Sequence, residues 1–177
     1  MLKIKSIQDI QNDLLINKKG IRNFPKSTSF PFDALYLDIV TQIKTVEISS
    51  ECILLDSVHS YNENKEFADT EYWKDNYDQN EINKFWFFGQ NGQGDLWLFD
   101  INKKVYFYDH EKEQMCKENF IDLDLNFKRW MQFSYLNKQL DEYYDVENEI
   151  SQEIKIEYKT KLKEISKSLL DNYPFEI

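Results

Sequence analysis

The sequence predicts an α+β protein: a central antiparallel sheet built as a meander, helices packed on it, and a further helix at the C-terminal end. Three observations carry that prediction. Two short aromatic runs, Phe85-Trp86-Phe87-Phe88 and Leu96-Trp97-Leu98-Phe99, flank the glycine-rich stretch Gly89 to Asp95, the pattern of a hairpin. A third run, Val105-Tyr106-Phe107-Tyr108, follows a turn at Asp100 to Lys104 and extends the hairpin to a meander. Near the end, Ile150, Ile154, Tyr158, Leu162, Ile165 and Leu169 recur at helical spacing with Lys and Glu between them.

The other elements follow from local signals. Ser6-Ile7-Gln8-Asp9 has the form of a capping box with Asp in the third helical place, and Ile7, Ile10 and Leu14 continue a helix that Gly20 closes. Pro25 and Pro31 bracket a turn-rich link, and Phe32 to Ile43 suits a second helix. Val46 to Val58 is rich in β-branched and aliphatic residues and reads as one or two strands. Tyr61 to Asn80 reads as a loop or short helix anchored by Tyr61, Phe67, Tyr72, Trp73 and Tyr77. The meander has aromatics on both faces, so helices are expected on one side and loops or a partner on the other. Asp124 or Asn126 caps a helix carrying Phe127, Trp130, Met131 and Tyr135 on one stripe. The last helix spans about Ile150 to Leu170. No repeat or Pro/Gly/Ser linker divides the 177 residues, so one domain with residues 150–171 as a helical extension is expected.

Composition excludes several classes. Hydrophobic residues make up 41% and aromatics 16%, too many for a disordered chain. Cys52 and Cys116 are too few and too far apart for a disulfide scaffold or a zinc knuckle; both are expected as free thiols, Cys52 inside a strand and Cys116 on an exposed connection. No stretch approaches a membrane span of about 18 apolar residues, and the first residues lack a signal-peptide core. A cytoplasmic protein with no membrane partner is expected.

Charge is the most informative quantity. The net value is −10. Tyr61 to Ile82 holds Glu63, Glu66, Asp69, Glu71, Asp75, Asp78 and Glu81 against two lysines, for −5. Asp141 to Glu153 holds Asp141, Glu142, Asp145, Glu147, Glu149 and Glu153 with no base, for −6, so the remaining residues carry only +1. Nucleic acid is disfavoured, because phosphate binding needs a basic footprint. A basic protein partner fits. Tyr72, Trp73, Tyr77, Tyr143 and Tyr144 stand among these acids, and aromatic anchors within a polar rim are the anatomy of protein interfaces.

Other constellations resolve toward structure. Gly89-x-x-Gly92-x-Gly94 is followed by a strand, whereas a phosphate-cradling loop needs a helix there, so it reads as a hairpin turn. Asp109-His110-Glu111 points to alternate faces of a strand and reads as structural or solvated. No catalytic residue, metal site or cofactor is expected.

From Phe85 to Leu136 the order of features resembles the SUKH superfamily, the domains related to the yeast cell-wall-synthesis regulator and common as bacterial immunity proteins. The segment Phe87 to Asp100 is similar to the family's strand, glycine turn, Gly-Asp and outgoing strand. Val105 to Glu111 resembles its valine-aromatic strand ending in Asp-His-Glu, and Phe127, Trp130 and Met131 stand where its helix carries Phe, Phe and Leu. Phe24-Pro25 is taken as the counterpart of a family Leu-Pro, while the family's Asn-Gly-Gly turn has no counterpart. The resemblance implies structural signature roles for Gly89, Gly92, Gly94, Asp95, Trp97 and Trp130. It also implies an immunity protein that binds and neutralises a polymorphic or contact-delivered toxin, a nuclease among the options. The partner-binding candidates are Glu63, Glu66, Asp69, Glu71, Tyr72, Trp73, Asp75, Tyr77, Asp78, Asp141, Glu142, Tyr144, Asp145 and Glu147. The alternatives are a regulatory interaction module without a toxin and, behind it, a small hydrolase.

Overall fold

Successive strand residues point to opposite faces of a sheet, so strands that are apolar at successive positions need cover on both sides. The computed structural model, which describes residues 1–17, 20, 23–112 and 114–174, has that arrangement. Six strands, β1 (Val46–Ser49), β2 (Cys52–Leu54), β3 (Phe85–Gln90), β4 (Leu96–Asp100), β5 (Lys104–Tyr108) and β6 (Phe120–Asn126), pair antiparallel in sequence order. The helices are α1 (Ile7–Leu14), α2 (Ala34–Val40), α3 (Ser57–Glu66), α4 (Gln79–Ile82), α5 (Phe127–Glu147), α6 (Gln152–Ile165) and α7 (Lys167–Asn172). The α+β meander with a helical C-terminal end is thus the fold.

One face carries Trp86, Phe88, Trp97, Phe99, Val105, Phe107, Leu123 and Leu125, buried against residues of α1, α2, α5, α6 and α7. The other carries Phe85, Phe87, Leu96, Leu98, Tyr108 and Phe120. Trp73 and Ile82, from the segment between β2 and β3, and Met115, from the segment between β5 and β6, cover that second face. Two connecting segments supply the second cover, and Ile82 comes from the short helix α4, where loops or a partner were expected.

Caps set most helix ends. Ser6 Oγ accepts from Asp9 N, as the capping box predicts. Helix α1 stops at Leu14 and a 3₁₀ turn continues to Asn17, short of the expected Gly20; residues 18 and 19 lie outside the described residues. Asp33 caps α2 by accepting from Leu35 N and Tyr36 N, and so shortens the expected Phe32 to Ile43 helix. The aliphatic run from Val46 becomes two strands that end at Leu54, and Asp56 starts α3, so Val58 is helical and not in a strand. Asp56 Oδ1 accepts from Val58 N and His59 N while Oδ2 accepts from Thr45 N at 3.0 Å, tying α3 to the start of β1. Burial pushes this carboxyl's pKa up, but the bonds from His59 and Thr45 outweigh it and leave the pKa below the ordinary range.

Three features depart from the expectations. Phe120–Asn126 is a strand in a stretch for which no element was expected from sequence, and its burial alternates over most of its length. Asn126, not Asp124, caps α5, which then runs 21 residues to Glu147. The C-terminal helix breaks at Ser166, which is extended (φ −158°) and donates from Oγ to Leu123 O at 2.8 Å. Tyr158, Leu162, Ile165 and Leu169 belong to the same core as the strand aromatics, so this region completes the core and is not an outlying addition.

The glycines play separate parts. Gly89 is a strand residue, not a turn residue: β3 continues through Gln90, and its register against β4 shifts between Phe87 and Gly89. A Cβ on Gly89 would lie 2.8 Å from Ile53 O and 3.6 Å from Trp130 Cζ2. Gly94 sits in the turn at φ +99°, and Gly92 has open space around it. Gly89→Ala is therefore expected to destabilise the chain by about 1–3 kcal/mol through overpacking, and Gly94→Ala by about 1 kcal/mol or more through strain. Gly92→Ala should stay within about 0.5 kcal/mol. Urea unfolding of the three variants checks the order; equal losses would contradict it.

Candidate functional site

The two acidic stretches fold differently. In the first, the aromatics turn inward. Trp73 is 3% exposed, donates from Nε1 to Phe67 O at 2.7 Å and stacks on Tyr77 and Phe85. Tyr77 is half-buried, and its hydroxyl accepts from Lys117 N at 3.1 Å. Trp73 and Tyr77 are thus cover for the sheet rather than free anchors. Tyr72 remains exposed, and its hydroxyl donates to Glu66 Oε1. Asp69 caps the 3₁₀ turn Thr70–Tyr72, and Asp78 caps α4. Glu66, Glu71 and Asp75 are exposed and Glu63 is half-buried.

The second stretch is the end of α5. Asp141 is half-buried and accepts from both Ser50 N (2.8 Å) and Ser50 Oγ (3.1 Å), clamping α5 to the β1–β2 turn. Beyond it Glu142, Tyr144, Asp145, Val146 and Glu147 are all exposed, Tyr144 at 56% and Val146 at 75%. Asn148, left-handed at φ +57°, ends the helix by donating from its backbone N–H to Tyr144 O. Two shallow depressions of about 330 and 400 Å³ meet here and share Tyr143 and Glu147. Val146 was not among the candidates from sequence; an apolar residue alone in an acidic run was the available signal.

A cation stands at this surface, the Met1 ammonium, which donates to the Tyr143 hydroxyl at 2.6 Å and lines the first depression with Glu142 and Glu147. The last turn of α5 has no base, yet carbonyls at a helix C-terminus carry partial negative charge and disfavour acids by roughly 0.3–1 kcal/mol each. Asp141 and Asp145 also stand four apart on the helix, a like-charge spacing. The free chain therefore holds Asp145 and Glu147 at a cost to its stability.

The glycine turn and the Asp-His-Glu run form one structural knot. Asp95, 3% exposed in its side chain, accepts at Oδ1 from His110 N (3.1 Å) and Nδ1 (2.7 Å) and at Oδ2 from Asn91 Nδ2 (2.8 Å). Asn91 Oδ1 in turn accepts from Gln93 N and Asp95 N. Asp95, Asp109 and His110 are the grouping of possible metal ligands found among the described residues, but His110 and Asp95 spend their facing atoms on each other. Trp97 and Trp130 are fully buried, and Trp97 Nε1 donates to Glu51 O. Cys52 and Cys116 are both free and buried, so Cys116 is not on an exposed connection.

Comparison with family models, curated proteins and solved structures finds no match. Among the described residues no helix is long and apolar enough to cross a membrane.

The hydrogen bond to Asp95 raises the pKa of His110 above its ordinary 6.5. Its folded pKa exceeds its unfolded one, so its contribution is complete below the unfolded value and fades as pH rises through the folded value. His110→Ala should lower the melting midpoint most near about pH 6, with the gap to the parent narrowing by about pH 9. A gap that does not change with pH would contradict this.

Proposed function

We propose that this chain is a binding protein of the immunity type, which neutralises a bacterial toxin by occupying it stoichiometrically through the acidic end of α5. The observation that carries the reading is the exposed pair Tyr144 and Val146 set among Glu142, Asp145 and Glu147, at a helix terminus that disfavours those acids. A basic partner surface would neutralise the charge, and the two apolar side chains would be buried at its centre. A toxin that cuts nucleic acid presents such a basic cleft. The resemblance of Phe85 to Leu136 to the SUKH superfamily supports the same class.

Nearly all the net charge lies in two stretches, so the chain's field is directional. A field of that kind can steer association toward about 10⁸–10⁹ M⁻¹s⁻¹ at low salt. Coexpression with the toxin encoded beside it should protect cells and yield a one-to-one complex whose affinity falls as salt rises. Failure to protect would refute the function.

Charge reversal separates binding from folding. The double variant Asp145→Lys, Glu147→Lys should stabilise the free chain by about 0.5–1 kcal/mol and weaken the complex at least about tenfold through the association rate. Unfolding curves and surface plasmon resonance check the two halves. Unchanged affinity would move the interface away from α5.

A further inference from the structure

A second surface, sharing no residue with the end of α5, lies where β2 stops. Strand β2 pairs with β3 only at Ile53 and Leu54, opposite Gln90 and Gly89, and Leu55 N adds one bond to Phe88 O. The next stretch of that edge is met by a side chain. Asn64 Oδ1 accepts from Phe87 N at 2.8 Å and Asn64 Nδ2 donates to Phe87 O at 2.7 Å, with Ser60 Oγ a second donor to that carbonyl at 2.9 Å, so side chains of α3 do for Phe87 what a strand residue would do. In an antiparallel strand the backbone groups of every second residue face the same edge. The N–H and C=O of Phe85 therefore face the side on which Asn64 sits, and among the described residues no strand continues there.

A groove of about 390 Å³ opens at this edge, within the range of about 300–1,000 Å³ typical of ligand sites. Its lips are the loop carrying Ser27, Ser29 and Phe30 on one side and Asn64 and Phe67 on the other, with Ile101 near one end. Among the described residues none that lines it is charged, although charged residues make up 31% of the chain. A charged ligand would lose water there without meeting a counter-charge.

We propose that this groove binds an extended, uncharged peptide segment of a protein partner, laid along β3 in the place that β2 vacates. The segment's backbone meets the N–H and C=O of Phe85, adding a strand to an open edge. Its side chains fall alternately on the serine-bearing lip and on the lip that carries Phe67. Charge sets the selectivity: the acidic end of α5 suits a basic surface, and this groove suits a neutral strand.

The test is amide-resolved NMR titration of the full chain with a pool of capped hexapeptides drawn from Ser, Thr, Val and Tyr. A matched pool carries Lys at the third position. The neutral pool should shift the amides of Asn64, Phe67 and Phe85 and slow hydrogen exchange at Phe85, and the Lys pool should bind about tenfold more weakly or worse. Ile101→Lys, at a position 42% exposed, should weaken neutral-pool binding similarly without changing the unfolding midpoint. The proposal is overturned by absent shifts at these amides with millimolar pool, by equal binding of the Lys pool, or by unchanged exchange at Phe85.

Discussion

A sheet that is apolar on both faces governs this molecule. Strands β3 and β4 bury every residue from Phe85 to Gly89 and from Leu96 to Phe99, so neither face can be left to water. Each large aromatic side chain removes about 150–250 Å² from solvent when covered, which makes the cover as important as the strands. Helices supply it on one side. On the other the chain uses two insertions that lock together: Lys74 N donates to Met115 O, and Met115 N donates to Tyr72 O. Trp73, between those bonds, packs edge-on to Phe87 and Phe120 and closes the second core.

That demand explains the first acidic stretch. A segment that must give Phe67, Trp73, Tyr77 and Ile82 to the sheet has only its other positions to present to water. Several of its acids also do local work. Asp69 and Asp78 cap short helical turns whose amides would otherwise lack partners, as Asp56 does for α3. The interleaving of acids and aromatics is thus an inside and an outside of one cover, and it marks a binding face less specifically than the letters suggest.

The meander was legible because its signals are local. Alternating aromatic runs and a Gly-Asp turn specify strands and their order within a few residues. The helical period of Tyr158, Leu162, Ile165 and Leu169 was equally plain, but the break at Ser166 was not, because it depends on a bond to Leu123 O far away in sequence. Strand β6 was missed although Phe120, Leu123 and Leu125 are buried between exposed acids; a register shift against β5 and the positive φ of Asp124 interrupt the period. The role of Gly89 was hidden for a similar reason. Its sequence neighbours suggest a turn, whereas the constraint comes from Ile53 O and the edge of Trp130. For the candidate site, the clustering of charge was visible in the sequence, but which aromatics face water was not, since that is fixed by pairing across the sheet.

At the end of α5 this logic of local work runs out. Asp141 clamps the helix to Ser50, but among the described residues Asp145 and Glu147 make no hydrogen bond or ion pair, and the helix carbonyls beside them add to their repulsion. Some acids elsewhere meet a partner, as Asp13 accepts from the Tyr135 hydroxyl and lies near Lys138, and Asp122 pairs with Lys104, whereas Glu71 and Asp75 are exposed like Asp145 and Glu147. Natural chains sit near a stability threshold, and charge placed against a helix dipole is among the easier losses to repair. Here it stands together with the exposed side chains of Tyr144 and Val146. Under the function proposed, the free protein gives up a little stability at this terminus, and association with a basic partner recovers it.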